Sequence, residues 1–125
     1  MQIEFDSDTP IYLQLIRMIR QAIVTGSLPP GSKMPSVRDL ACDYGVNPNT
    51  VQRALTELER DGLVFAERTA GRFITSDDAL IESVRAELAE RQISDFTDRM
   101  LALGYRREQL MQTLSQKWSE KDANH

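Results

Sequence analysis

PSVRDLACDYGVNPNTVQRALTELERD, from Pro35 to Asp61, holds two amphipathic repeats separated by a glycine. Val37, Leu40, Ala41 and Tyr44 stand at the i, i+3, i+4, i+7 spacing that lines up four side chains on one helical face. Val51, Ala54, Leu55 and Leu58 repeat that spacing after the turn. Two apolar stripes this close in sequence have to pack on each other. Gly45 can take the left-handed conformation that ends the first helix, and Val46 can plug the corner. Asn47 is a good N-cap and Pro48 a good first residue, so the second helix should begin sharply and run to Gly62. Its opposite stripe, Asn49, Gln52, Arg53 and Thr56, carries groups that hydrogen-bond base edges and phosphates. The pattern predicts a helix-turn-helix with its second helix offered to a DNA groove.

On the N-terminal side, Thr9-Pro10 marks a helix start, with Thr9 or Asp8 as cap and Pro10 as the first helical residue. The helix should run to about Thr25, with Tyr12, Leu15, Ile16, Ile19 and Ile23 on a stripe widened by Ile11, Met18 and Ala22. Ahead of it, Ile3 and Phe5 can form a short strand or a docked arm. Gly26 stops the helix, Leu28-Pro29-Pro30-Gly31 is a rigid turn, and Ser36 is placed to cap the first helix of the motif. Beyond Gly62 the period becomes extended. Leu63-Val64-Phe65-Ala66 and Phe73-Ile74-Thr75 read as strands joined by a loop over 67–72. Residues 1–75 are therefore expected to form a winged helix-turn-helix, mostly α with a small β-hairpin.

A second segment, 76–125, opens at Ser76-Asp77-Asp78, a capping serine followed by first-turn acids. A long helix with Ile81, Val84, Leu88, Ile93, Phe96 and Met100 at three-four spacing ends at Gly104, and a shorter one gathers Leu110, Leu114 and Trp118. Two amphipathic helices joined at one glycine cannot bury both apolar faces alone. These nine residues are expected to pack against a second copy of the chain, giving a homodimer. An effector pocket would have to form between the tail helices of two chains or between tail and winged domain, and no residue names its ligand.

At 125 residues and 41% hydrophobic content the chain can build a packed core. The net charge of -4 argues mildly against a nucleic-acid binder, but its distribution matters more. From Lys33 to Arg72 six basic residues face six acidic ones, whereas residues 77–125 hold seven basic against ten acidic. One cysteine and one terminal histidine exclude a disulfide framework and a Cys/His metal cluster. No apolar run approaches the roughly 20 residues needed to span a bilayer, so a cytoplasmic setting without membrane or cofactor is the expectation. No histidine lies in the body of the chain, and no phosphate loop or nucleophile-base pair stands out, which excludes an enzyme as the reading.

Among candidate contacts to double-stranded DNA, Gln52 and Arg53 are the best for base edges, although Arg53 could instead pair with Glu57 one turn on. Asn49 and Thr50 lie in the first turn, where free amides suit a phosphate, and Asn47 reads more as a cap than as a contact. Arg38, near the start of its helix, favours a phosphate; Ser36 can serve as cap or contact. Arg68 and Arg72 flank the wing tip. Cys42, beside Asp39 and Asp43, reads as a passive thiol.

The string Pro35–Leu58, preceded by Pro10-Ile11-Tyr12-Leu13-Gln14 and Leu28-Pro29-Pro30-Gly31, resembles the GntR family of bacterial transcription regulators. Asn47-Pro48-Asn49-Thr50-Val51 and a C-terminal region of about fifty residues are similar to its YtrA subfamily. The resemblance implies a dimeric repressor on an inverted repeat. By matched position it implies DNA contacts from Arg38, Asn47, Asn49, Thr50 and Gln52, with Arg68 and Gly71 on the wing. Many relatives carry Arg where Pro48 and Gln52 stand here, so base preference should differ. The wing tip is also less basic and less glycine-rich than in relatives. The competing reading is a winged helix that docks proteins without sequence-specific DNA binding.

Overall fold

The computed structural model describes residues 7–124, so the arm expected at Ile3 and Phe5 lies outside the described residues. The elements run α1 (Ile11–Val24), α2 (Val37–Tyr44), α3 (Pro48–Arg60), β1 (Val64–Glu67), β2 (Gly71–Ile74), α4 (Asp78–Ala102) and α5 (Arg107–Ala123). This is a winged helix-turn-helix followed by two helices, mostly α with one antiparallel hairpin.

The second predicted stripe is core throughout, whereas of the first only Leu40 and Ala41 are buried and Val37 and Tyr44 stay partly exposed. Val51, Ala54, Leu55 and Leu58 of α3 are sealed from solvent, against Leu40 and Ala41 of α2 and Leu15, Ile19 and Ile23 of α1. Each large side chain buried this way contributes about 1.5–3 kcal/mol relative to exposure. The corner between α2 and α3 is closed by Gly45 at φ 67°, with the Val46 amide donating to the Ala41 carbonyl. This left-handed residue is what lets the two stripes face each other over so short a turn.

The hairpin pairs Val64 with Ile74 and Glu67 with Gly71, so its loop is Arg68-Thr69-Ala70, tighter than the 67–72 expected. Val64 and Ile74 are buried beneath α3, whereas Phe65 stacks on Phe73 at 5.9 Å on the more open face. A third stretch joins the sheet: the Met34 amide donates to the Arg72 carbonyl and the Ile74 amide to the Ser32 carbonyl, both at 2.8 Å, around a bridge between Lys33 and Phe73. The turn that the prolines set up therefore ends as an extra edge of the wing.

Two helix starts differ from expectation. Pro10 stands at the N-cap of α1, not in its first turn, and the Leu13 and Gln14 amides donate to its carbonyl. Asp77, not Ser76, caps α4: the Leu80 amide donates to Asp77 Oδ1 at 3.1 Å, and Thr75 Oγ1 accepts from the Asp77 amide. A carboxylate at that position complements the helix dipole better than a hydroxyl.

The chain divides into two compact units, Met1–Ala86 and Glu87–His125. The first turns of α4 belong to the winged unit, beyond the expected boundary at 75. The reason is local: Ile81 is buried there, and the Arg85 guanidinium donates to the Val24 carbonyl at 2.6 Å. Ile81 was expected at a dimer interface and is a core residue of its own chain. In the second unit, α4 ends as Gly104 (φ 90°) and the Tyr105 amide returns to the Met100 carbonyl. The Arg106 amide, accepted by Gln109 Oε1, opens α5.

Candidate nucleic-acid interface

α3 begins sharply because Asn47 Oδ1 accepts the Asn49 amide at 2.8 Å and Pro48 supplies a preset φ. The Asn47 side-chain oxygen is thereby committed to the cap. Opposite the sealed stripe, Asn49, Gln52, Arg53 and Thr56 are all exposed. Thr56 turns its hydroxyl back to the Gln52 carbonyl at 2.9 Å. The Gln52 side chain makes no hydrogen bond among the described residues, so its amide keeps both donor and acceptor for an outside partner.

On α2, Ser36 Oγ accepts the Asp39 amide at 3.0 Å, which makes Ser36 a cap, and Arg38 beside it is exposed with no ion pair among the described residues. Arg68 in the wing loop is likewise exposed and unpaired. A cleft of about 380 Å³ joins these regions, lined by Lys33, Ser36 and Val37 on one side and Thr69, Ala70 and Gly71 on the other. Gly71, at φ 99°, passes so close to Lys33 that a Cβ would lie 3.1 Å from its Cε. The helix start, a lysine and the wing thus share one concavity, which the separation of Lys33 from Gly71 in sequence conceals.

Two of the expected arginine contacts also have intramolecular partners. Arg72 pairs with Glu59 of α3, both half-buried, which directs it toward the scaffold. Arg53 does not pair with Glu57, which holds Arg60 instead at 3.1 Å; its guanidinium lies 3.7 Å over the ring of Tyr12. Sequence reading placed Tyr12 only in a core stripe. No local signal could have revealed the stack, since the residues belong to different helices.

The balanced charge of the motif resolves into two ends. Glu57, Glu59 and Asp61, gathered at the C-terminal end of α3, are each held by an arginine: Arg60, Arg72 and, from α1, Arg20. Lys33, Arg38 and Arg68, which have no ion pair among the described residues, flank the other elements of the motif and keep their charge available. Of the six acids that cancel the motif's charge on paper, two are therefore paired inside it and a third, Asp61, is held by Arg20 from outside it.

A separate cleft of about 640 Å³ opens between α1 and α2, with Met18, Ala22, Leu28, Leu40 and Tyr44 in its walls. Burial, and secondarily the charge of Asp43, raise the Tyr44 hydroxyl above its ordinary value of 10.0. Cys42 is exposed and free. Among the described residues no group of three His, Cys, Asp or Glu side chains is placed to hold a metal ion, and no helix is long and apolar enough to cross a membrane.

A sealed helix-turn-helix with a free polar face on its second helix, flanked by a hairpin, defines the class of winged-helix DNA-binding regulators. Residues 11–74 match the family described as bacterial regulatory proteins, gntR family, and the chain belongs to that family. It is 43% identical over 76 residues to the HTH-type transcriptional repressor YtrA of Bacillus subtilis, covering 61% of this chain and 58% of that protein. Its place is thus in the YtrA subfamily, among transcriptional regulators and not enzymes. A GntR family transcriptional regulator from Listeria monocytogenes superposes with a TM-score of 0.82 at 36% identity, covering 90% of this chain and 98% of the other. The DNA-binding domain of AraR in complex with operator ORX1 superposes with a TM-score of 0.55 at 25% identity, covering 60% of this chain and 95% of that one.

Proposed function

We propose that this regulator is a cytoplasmic repressor that binds a palindromic operator as a homodimer, through α3 and the wing. The observation that carries the reading is Gln52: exposed and without a partner among the described residues, it stands on the face of α3 opposite a fully buried stripe. A glutamine amide in a major groove recognises adenine in bidentate fashion. The operator complex of AraR and the repressor name of YtrA support the same assignment.

In this reading Arg38, Asn49 and Thr50 take phosphates, Gln52 takes a base edge, Arg53 adds a contact beside it, and Arg68 and Gly71 bring the wing to the backbone. Asn47, Ser36 and Arg72 act through the scaffold. The test is enrichment of a randomised duplex pool by the full chain, followed by titration of the enriched sequence. Recovery of an inverted repeat supports the proposal. Failure to enrich any sequence, with only weak and uniform duplex binding, defeats it and favours a protein-docking winged helix.

A further inference from the structure

Tyr12 is the second residue of α1, and its ring lies 3.7 Å beneath the guanidinium carbon of Arg53 in α3. Arg53 is exposed and has no ion pair among the described residues; Tyr12 is half-buried. A guanidinium stacked by one face keeps its five N–H donors in the plane, so the ring restrains the fork without occupying any donor. An unrestrained arginine loses its rotamer freedom when it binds, and a fork already held in place loses less.

We propose that Tyr12 is a positioning residue of the DNA-reading surface, whose ring holds the Arg53 fork for a backbone phosphate beside the bases read by α3. The proposal rests on the operator-binding reading. Phosphates take half to two-thirds of protein–DNA hydrogen bonds, and a planar fork meets two phosphate oxygens at once. Stacking at an exposed site favours the held rotamer by about two- to fivefold, which sets the size of the effect per half-site.

The experiment compares wild type, Tyr12→Phe, Tyr12→Leu, Arg53→Ala and the Tyr12→Leu/Arg53→Ala pair. Each is titrated by fluorescence anisotropy against the enriched duplex and against a 30-base-pair duplex of unrelated sequence, over a range of salt. Thermal melts confirm that each variant is folded. Expected are unchanged binding for Tyr12→Phe, a loss of about two- to fivefold per half-site for Tyr12→Leu, and no further loss when Tyr12→Leu is added to Arg53→Ala. Arg53→Ala lowers the slope of log affinity against log salt by about 0.9 per half-site. The proposal is overturned by unchanged binding in Tyr12→Leu, or by an equal loss with and without Arg53. It is also overturned if Arg53→Ala shifts preference at one base pair while the salt slope stays put. If wild type enriches no sequence, the operator reading fails, yet the unrelated duplex still reports whether Tyr12 acts through Arg53.

Discussion

Arg72 on β2 and Glu59 near the end of α3 form an ion pair that ties the wing to α3. Both side chains are less than one-third exposed, so the pair is shielded from the solvent screening that weakens surface ion pairs. Removing the arginine leaves a half-buried carboxylate without its partner. Arg72→Ala should therefore cost about 1 kcal/mol, seen as a melting temperature lowered by about 4–8 °C for a domain of this size. Arg68→Ala, in the loop four residues earlier, should leave the melting temperature unchanged and weaken duplex binding. A wild-type melting curve for Arg72→Ala would show that the pair contributes nothing.

In the proposed interface, Gln52 and Arg38 separate reading from anchoring. Gln52→Ala should lose about 1–3 kcal/mol of discrimination at a single base pair per half-site and keep its affinity for unrelated duplex. Arg38→Ala should weaken binding to all sequences alike and reduce the salt slope by about 1 per half-site. Competition binding against a panel of single-base variants distinguishes the two. If the profiles of the two variants coincide, the division of labour is wrong.

Asn47 is the cap on which the orientation of α3 depends, through a 2.8 Å bond to the Asn49 amide. Asn47→Ala should cost about 1 kcal/mol of stability, whereas Asn47→Asp, which can accept the same amide, should retain it. Denaturant midpoints at unchanged slope measure this directly. Equal midpoints for alanine and asparagine would mean that Pro48 alone suffices to start the helix.

What was legible in the chain was local. The Asn47-Pro48 start, the Ser36 cap, the Gly45 corner and the stripes ending at Leu58 follow from interactions within about one or two helical turns, where residue type and spacing decide the outcome. Hidden features join distant segments: Tyr12 under Arg53, Arg20 on Asp61, Lys33 beside the wing, and Ile81 folded back into the first unit. An arginine on an exposed face has the same local signature whether it stacks, pairs or stays free. Arg53, Arg72 and Arg68 show these three fates, and only the tertiary partner tells them apart.

Tyr44 supplies a pH dependence. Burial, and then Asp43, disfavour its phenolate, so its folded-state pKa lies above the ordinary value of 10.0. The unfolded chain releases that proton first as pH rises. Tyr44 therefore leaves stability undiminished below about pH 10 and lowers it as pH climbs from there toward the folded value. Tyr44→Phe should flatten this alkaline loss, and the difference in ultraviolet titration between wild type and variant should place the Tyr44 midpoint above that of a free tyrosine. A difference midpoint at the ordinary value would mean that the hydroxyl is effectively solvated.

Dimerisation is the expectation with most at stake, because a single balanced-charge motif has few free cations with which to hold DNA. In that expectation the second unit supplies the surface: Ile93 is 64% exposed, Leu101 60%, Leu103 69% and Trp118 68% in the single chain. Apolar side chains open to this extent over two successive helices mark an interaction surface. Phe96, Met100 and Leu110 are half-exposed, Leu114 lies at 39%, and Val84 and Leu88 are partly covered, so the interface should centre beyond residue 88 and exclude Ile81. Replacing Leu114 and Trp118 together by Glu places two charges on that surface, where covering them would require desolvation without partners. The double variant should run as a monomer in multi-angle light scattering at micromolar concentration, retain the melting transition of the winged unit, and lose most affinity for an inverted repeat while keeping weak binding to a half-site. Wild type should be a dimer under the same conditions. A monomeric wild type that still binds the repeat at full strength would remove the tail from the mechanism and leave the winged unit to read its operator one copy at a time.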